Sequence, residues 1–482
     1  MTGTDASSVS LGGETVKATV AKFTMAAIGF VGTIVFARVL GPTGFGGFYL
    51  LFSLVKLADR AVSGWGSATK KRYSEATANG NEILGGLLAF TVVWVALAGI
   101  ALLIGSEWLI DYTGLPAAPV MFALLLVAVT LYEPVEQVVQ ARGLVGAATW
   151  IDTVRSALTF PLQVAFVLLG FGAAGMAYGL AAATLLVIPL LWRFVDGRPT
   201  RPSRGTLRSL WSYARYSIPN SFLGQAYDRF DVLLLGFLLT PAVAGYYEVA
   251  FKLTLPAAFV MMTAASGLMA RVSHKHSRDE PFAEDVSNTL AFSSVLAVPM
   301  VFGAFALSRP LVVTLYGPEY APADTFLIGL AVYQLLTTQR GPLSRTIDAI
   351  DRPDVNTVLS VLTLGINVVL GIALVLEIGA IGVVVATVIA ESLRYAVSAA
   401  YVRRTLPDVD LLPRTLLEQV GAATVMVGVV VLFRGTIPIQ RWYHLLAVVA
   451  VGALVYGVVL LIGSPKLRVT IEGVVRESRL GR

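Results

Sequence analysis

Ionisable side chains inside strongly apolar stretches are the residues of this sequence that could do chemistry. A charged side chain in the middle of a membrane helix costs at least ~2.5–3.5 kcal/mol on insertion scales, so it usually faces a polar cavity or a partner. Five basic residues have such positions: Lys22, Lys56, Arg60, Arg229 and Lys252. Together they would hold an anionic ligand through charge-assisted hydrogen bonds, which are strong where water is scarce. The sequence therefore predicts a cationic cavity.

Acidic residues accompany these basic residues and could neutralise them. Asp228, Asp231 and Glu248 form one group, in which Asp228 and Asp231 share a helix side because they are three residues apart. These carboxylates could bind a coupling cation such as Na⁺ or H⁺. Ion pairs that only orient helices are the alternative, and the candidate pairs are Lys56–Asp59, Asp228–Arg229 and Glu248–Lys252. The spacing leaves both interpretations open.

A stripe of polar residues follows one face of a predicted helix. Glu133, Glu136, Gln137 and Gln140 are spaced i, i+3, i+4 and i+7, which is one side of an α-helix. At 1.5 Å per residue, Glu133 lies about 24 Å from the outer end of its helix, close to the cytoplasmic headgroups. The stripe could border a solvated cytoplasmic entrance or contact another helix. It could also belong to the substrate path or to a proton relay.

Metal and cofactor chemistry have little support in this sequence. Cysteine is absent and only three histidines are present, which excludes thiolate metal sites and disulfides. We expect no metal and no cofactor. The longest polar segment runs from about residue 195 to residue 211, which is too short for a nucleotide-binding domain. We therefore do not expect an enzyme.

The composition is that of a membrane protein. Of 482 residues, 56% are hydrophobic and 14% are charged, whereas soluble domains carry about 25% charged residues. A spanning helix needs about 20 mostly apolar residues. Turn signals such as Gly41-Pro42 and Gly170–Gly172 separate the apolar stretches. We predict an all-α polytopic protein with fourteen transmembrane helices, at residues 15–38, 44–66, 83–105, 117–141, 147–169, 173–194, 212–239, 242–270, 285–307, 322–340, 355–376, 380–402, 415–434 and 442–463.

Basic residues indicate which helix ends face the cytoplasm. Lysine and arginine concentrate at the ends of the even-numbered predicted helices, for example at 70–72, 193–208 and 466–482, as expected for cytoplasmic ends. We predict that both termini are cytoplasmic and that the protein lies in a prokaryotic cell membrane. The formal net charge of +6 follows from this topology, so we expect no nucleic-acid partner.

An internal repeat divides the chain. The segments Pro42–Phe48 and Pro241–Tyr247 share proline, glycine and aromatic positions at one offset of 199 residues. Both copies begin an even-numbered helix at the outer face. The repeat is therefore parallel, as in transporters built from two bundles around an axis along the membrane normal. We predict six-helix bundles over 1–208 and 209–404, followed by an appended helix pair and cytoplasmic tail over 405–482.

Three motifs resemble elements of a known family. The segment Ala37–Gly46 (ARVLGPTGFG) resembles the motif that opens polysaccharide flippases of the O-antigen type. These flippases belong to the multidrug/oligosaccharidyl-lipid/polysaccharide exporter superfamily. The segments Asp228–Leu253 and Leu315–Tyr320 are similar to later elements of the same family. One departure is Gly47-Phe48-Tyr49, in which the aromatic position is shifted.

The resemblance implies a flippase that moves a lipid-linked oligosaccharide from the cytoplasmic to the outer leaflet by alternating access. Such a protein serves surface polysaccharide or glycoprotein biosynthesis. The implied partners are the lipid bilayer, a lipid-(pyro)phosphate-linked oligosaccharide and, as candidates, glycosyltransferases or a polymerase. A multidrug or cation antiporter of the same superfamily is the alternative. It would have twelve helices and an acidic cavity, which the appended pair and the basic residues disfavour.

Overall fold

The computed structural model describes residues 11–75, 79–436, 439 and 441–469, with side chains from residue 28 onward except at 266 and 436. None of these residues lies in a β-strand, so the prediction of an all-α protein is confirmed. The α-helices are α1 (Leu11–Ala58), α2 (Arg60–Tyr73), α3 (Gly80–Thr113), α4 (Ala118–Ala141), α5 (Val145–Phe166), α6 (Gly172–Trp192), α7 (Arg204–Leu238), α8 (Pro241–Thr254), α9 (Phe259–His276), α10 (Ala283–Ser293), α11 (Ala297–Tyr316), α12 (Ala323–Ala349), α13 (Pro353–Ile378), α14 (Ile381–Thr405), α15 (Arg414–Thr436) and α16 (Trp442–Gly463).

Ten stretches of the described residues are long and apolar enough to cross a membrane. Two of them contain a break at a predicted turn signal. In the stretch Ile28–Ala58, Gly41 has φ +64° and precedes Pro42. In the stretch Val145–Trp192, Gly170 has φ +92° and the helical path changes there. Glycine adopts positive φ without the steric cost that other residues meet, so these positions interrupt the helices.

Several predicted spans differ from the observed helices, and three examples show how. The span predicted at 83–105 continues to Thr113, because the helix ends only where Gly114 adopts φ +65° and donates its N–H to Ile110. The span predicted at 242–270 is divided by a 3₁₀ turn that contains Pro256, since proline cannot continue the α-helical ladder. The span predicted at 285–307 is divided between α10 and α11.

Residues Val35–Glu248 form one compact unit, here called the first unit, and the other described residues form the second unit. In the first unit, one apolar cluster around Trp65 and Leu84 joins α2, α3, α4 and α7. Another cluster around Ile151 and Leu191 joins α4, α5 and α6. These clusters show local packing between helices and do not test the predicted bundle boundaries. The division into bundles over 1–208 and 209–404 therefore stays a prediction.

The two copies of the sequence repeat lie against each other within the first unit. A Cβ atom added at Gly46 would lie 2.6 Å from the amide nitrogen of Gly245 and would overlap the carbonyl oxygen of Pro241. A Cβ atom added at Gly245 would overlap the carbonyl oxygen of Pro42 and lie 3.3 Å from the amide nitrogen of Gly46. The backbones of α1 and α8 can approach this closely only because both positions lack a side chain.

The polar segment before α7 is bound to the start of α3. The Asn81 side chain accepts a hydrogen bond from the backbone N–H of Arg198 at 3.0 Å. The Glu82 carboxylate accepts one from the backbone N–H of Ser203 at 3.0 Å. Tyr73 donates its hydroxyl to the Asp196 carbonyl at 2.6 Å, and burial raises the pKa of Tyr73, so it remains a donor at neutral pH. The segment is therefore an ordered strap.

The second unit contains two further apolar clusters. One, around Val272, Leu290 and Leu343, joins α9, α10, α12 and α14. The other, around Met426 and Tyr456, joins α11, α15 and α16. The last two helices therefore pack against each other and against α11, as an added layer on one side of this unit.

Candidate functional site

A charged cavity of about 300 Å³ lies inside the first unit. Lys56 of α1 and Glu133 and Glu136 of α4 line one side of it. Asp152 and Arg155 of α5 line it as well. The cavity thus brings Lys56, a predicted binding residue, together with the predicted polar stripe of α4.

One carboxylate holds the two predicted cations of this region. Glu133 pairs with Lys56 through one carboxylate oxygen and with the Arg60 guanidinium through the other, at 3.0 Å. Arg60 also pairs with Asp59 at 2.7 Å, and the Asp59 side chain is 0% exposed. Lys56 and Arg60 are 20% and 16% exposed, so water screens them little. The pairing is between helices, whereas the candidate pair from the sequence was Lys56–Asp59.

Two further residues of the α4 stripe contact α2. Gln137 accepts a hydrogen bond from Ser67 at 3.3 Å, and Gln140 accepts one from Lys70 at 2.8 Å. Glu136 instead accepts a hydrogen bond from the Gln140 amide at 3.0 Å. Three of the four stripe residues therefore face α1–α2, which supports the helix-contact interpretation for Gln137 and Gln140.

The α5 side of the cavity carries an ion pair that was not among the predicted site residues. Arg155 donates two hydrogen bonds to one Asp152 carboxylate oxygen, at 3.0 and 2.6 Å. The guanidinium also lies 5.0 Å from the centre of the Tyr132 ring, within range of a cation–π contact. The signal for this pair in the sequence was an acid and a base three residues apart inside a predicted span.

The charges on the cavity wall nearly balance. Its lining includes three carboxylates, Glu133, Glu136 and Asp152, and two cations, Lys56 and Arg155. An anionic ligand entering this cavity would therefore meet cations that already hold carboxylates. Binding would have to exchange one anion for another.

A second network of the first unit contains three further predicted residues. Arg229 pairs with Glu248 at 3.3 Å, and the Glu248 side chain is 1% exposed. Asp231 accepts a hydrogen bond from the Tyr247 hydroxyl at 2.7 Å. The sequence instead suggested Asp228–Arg229 and Glu248–Lys252 as pairs. Asp228 is in the first unit and Lys252 in the second.

One predicted cation and one buried ion pair lie outside these two networks. The side chain of Lys22 lies outside the described part of the structure. In the second unit, Arg340 donates to the buried Glu391 carboxylate at 2.5 Å, a pair that the sequence interpretation did not single out. Among the described residues, no group of three or more histidine, aspartate or glutamate side chains could hold a metal ion.

Comparison with known proteins identifies the family. A family model described as "Polysaccharide biosynthesis protein" matches residues 35–324, and one described as "Lipid II flippase MurJ" matches residues 205–451. Each covers more than half of the chain. Two relatives come from Haloferax volcanii. They are the "Probable low-salt glycan biosynthesis flippase Agl15", 25% identical over 96% of this chain and 98% of its own length, and the "Probable flippase AglR", 25% identical over 95% and 97%.

Solved structures share the fold. The lipid II flippase MurJ in an inward closed conformation has a TM-score of 0.77 and 16% identity, covering 92% of this chain and 97% of its own. An inward-facing multidrug transporter of the MATE family has a TM-score of 0.64 and 15% identity, covering 80% and 98%. The fold is thus that of the multidrug/oligosaccharidyl-lipid/polysaccharide exporter superfamily. Within it, the chain belongs to the polysaccharide biosynthesis protein family, and the resemblance seen in the sequence is confirmed.

Proposed function

We propose that this protein is a flippase that moves a lipid-linked oligosaccharide from the cytoplasmic to the outer leaflet of the cell membrane. The product would serve surface polysaccharide or glycoprotein biosynthesis. The names of its relatives and the family model support this proposal. The structural observation that carries it is the sharing of Glu133, on the wall of an internal cavity, by two cations: Lys56, which also lines the cavity, and Arg60.

The phosphate of the lipid carrier would bind by replacing the Glu133 carboxylate. Both groups offer oxygen acceptors to an ammonium and a guanidinium, and Arg and phosphate oxygens form bidentate pairs. Because Lys56 and Arg60 are already aimed at one anion, the site needs little reorganisation to accept another. Arg229 would be a further cation of the first unit, and Lys22 and Lys252 remain cations predicted from the sequence. Glu136, Gln137 and Gln140 would border its cytoplasmic entrance.

A topology of fourteen helices with both termini in the cytoplasm agrees with this function. Each of the fourteen predicted spans overlaps helical residues in the described chain. Of the ten apolar stretches, Ile28–Ala58 and Val145–Trp192 would each contribute to two spans, divided at Gly41 and at Gly170. The helices α7 and α12 would add the remaining two. They are less apolar because they carry Asp228, Arg229 and Arg340, which are candidates for the polar interior rather than for lipid contact.

Transport would proceed by alternating access without a chemical step, so we propose no enzymatic activity. The contact of Gly46 with Gly245 joins the two copies of the repeat at the predicted outer ends of their helices. This contact would close the outer side, and its separation would release the cargo outward. Asp228, Asp231 and Glu248 would either couple transport to a cation or hold Arg229 in place, as the Arg229–Glu248 pair suggests.

A multidrug or cation antiporter is the second candidate. The three carboxylates on the cavity wall favour it, because an acidic site suits a cationic drug. The appended helices α15 and α16 favour the flippase. The likeness to the MATE transporter covers 80% of this chain, whereas the likeness to MurJ covers 92%.

A leaflet-resolved measurement would separate the two candidates. Lipid-linked glycan is quantified on each side of the membrane in cells that lack the protein and in cells that carry it. We expect glycan to accumulate in the cytoplasmic leaflet without the protein, and restoration by the wild type but not by Lys56→Ala/Arg60→Ala. Arg404→Ala, an exposed change at the end of α14, is the control and should restore export. Equal leaflet distributions with and without the protein would reject the flippase.

A further inference from the structure

A second cavity, of about 450 Å³, lies entirely within the second unit between α9 and α12. One wall consists of Met261, Met262 and Met269 of α9. Methionine is unbranched and polarisable, so such a wall adapts to an irregular apolar chain. Gly341 of α12 allows Met261 to approach, because a Cβ atom there would lie 2.5 Å from the Met261 sulfur.

The opposite wall is polar, and most of its charged side chains already have hydrogen-bond or ion-pair partners. Arg340 is held by Glu391 at 2.5 Å and donates to Ser344 at 3.0 Å. Asp348 accepts a hydrogen bond from the Asn356 amide at 2.7 Å. Arg345 is exposed on this wall and forms no ion pair with any residue that the structure describes. The guanidinium of Arg345 thus has no carboxylate partner among the described residues, and it lies across the cavity from the methionine wall.

We propose that this cavity binds the phosphate group and the adjoining hydrocarbon of a lipid phosphate, with Arg345 on the phosphate and the methionines on the chain. Arg345 lies four residues, about 6 Å, before the end of α12. In the proposed topology that end is cytoplasmic, so Arg345 is at the depth of the inner headgroups. The proposal rests on the proposed function, because it makes this cavity the place where the carrier is first held before its phosphate reaches Lys56 and Arg60.

Photolabelling of the full-length protein tests the site directly. The probe is dodecyl phosphate with a diazirine in its chain, and adducts are located by peptide mass spectrometry. We expect adducts on the α9 segment that contains Met261, Met262 and Met269. Arg345→Ala should reduce them about tenfold or more, as expected for loss of a hydrogen bond to a charged group. Arg345→Lys should retain most of the labelling, and Arg404→Ala should label like the wild type.

Competition identifies what the cavity recognises. Unlabelled dodecyl phosphate should suppress the α9 adducts, whereas dodecanol, inorganic phosphate and phosphatidylglycerol at the same concentration should not. Equal suppression by inorganic phosphate would replace the proposal with a free-phosphate site. Equal suppression by phosphatidylglycerol would replace it with a site for bulk lipid. Unchanged labelling of Arg345→Ala, or absence of α9 adducts, would overturn it. Met262→Gln, a second variant at an exposed position, should weaken labelling while Arg345 remains intact.

The flippase proposal and this site can fail separately. Normal export of glycan together with no α9 adducts would remove the site and leave the function. Phosphate-dependent α9 adducts in a protein that exports no glycan would retain the site and remove the function.

Discussion

Gly46 and Gly245 occupy equivalent positions in the two copies of the repeat, and the backbone of each stands in the way of a side chain on the other. A Cβ atom on Gly46 would come within 2.6 Å of the Gly245 nitrogen, and one on Gly245 within 3.3 Å of the Gly46 nitrogen. The contact is reciprocal, as expected where like elements meet around a two-fold axis. Because backbone rather than side chain limits the space, the contact cannot relax by a rotamer change.

Alanine at either glycine should therefore destabilise the protein. We expect Gly46→Ala and Gly245→Ala each to lower the free energy of unfolding by about 1–3 kcal/mol, the usual range for overpacking. The purified protein in detergent would show this as a lower Tm. Gly99→Ala is the matched control, because a Cβ atom there meets nothing within 4 Å, and alanine in a helix is favoured over glycine by about 0.5–1 kcal/mol. Gly46→Ala with the same Tm as Gly99→Ala would contradict the close contact.

The shared carboxylate of Glu133 should couple α1 and α4 energetically. In Glu133→Gln, Lys56 and Arg60 lose a common anion, and we expect a loss of about 1–3 kcal/mol of stability. A double-mutant cycle with Lys56→Met should give a coupling of about 0.5–3 kcal/mol. Glu136→Gln is the control, since Glu136 accepts its hydrogen bond from an amide rather than from a cation. A coupling near zero would mean that the ion pair does not persist in the membrane.

The variant Glu133→Gln also tests whether the Glu133 carboxylate competes with the cargo phosphate or helps to bind it. If the Glu133 carboxylate holds the place of the cargo phosphate, its neutral amide should let dodecyl phosphate bind several-fold more tightly to Lys56 and Arg60. Titration of the purified protein with that probe measures the change. Weaker binding by Glu133→Gln than by the wild type would show that the carboxylate helps to hold the ligand instead.

The strap before α7 should resist proteolysis only while Glu82 is present. Glu82 accepts hydrogen bonds from the Ser203 backbone and from the Thr206 hydroxyl, at 3.0 and 2.5 Å. Glu82→Ala should increase the rate of tryptic cleavage after Arg204 severalfold, since cleavage follows local opening. Arg204 precedes a glycine, whereas Arg198 and Arg201 precede prolines. Glu107→Ala, at an exposed position of the same helix, should leave the rate unchanged. Equal rates for both variants would show that other contacts hold the strap.

Helical periodicity predicted which charged residues face away from the lipid, but it did not predict the residues that they contact. The repeat at Pro42 and Pro241 and the break at Gly41 could be predicted because they depend on local residue types. The partner of Lys56 could not, because Glu133 is 77 positions away and the pairing depends on how α1 and α4 are rotated against each other. Helical spacing defines a face and carries no information about the helix opposite.

Helix ends, too, could be predicted only in part from local residue types. The polar residues around Glu107 end the hydrophobic stretch, but α3 continues to Thr113 because backbone hydrogen bonding stops only at the left-handed Gly114. The ion pair of Arg340 with Glu391 was also missed, since Arg340 ends the predicted span 322–340, where basic residues indicate topology, whereas Glu391 lies in the middle of the predicted span 380–402. Buried pairing and topology therefore use the same residue types, and only the packing of α12 against α14 separates them.

The proposed topology predicts which positions a membrane-impermeant maleimide can reach. The chain contains no cysteine, so every single-cysteine variant has one defined target. Glu319 is exposed in the turn between α11 and α12, and Arg201 is exposed in the strap before α7. Glu319→Cys should react in intact cells, whereas Arg201→Cys should react only after the membrane is permeabilised. If both positions reacted in intact cells, an even number of spans would separate them instead of the predicted three, and the assignment of the basic strap to the cytoplasm would be wrong. Since five arginines lie between residues 193 and 208, in the strap and on either side of it, that result would also remove the charge argument for cytoplasmic termini.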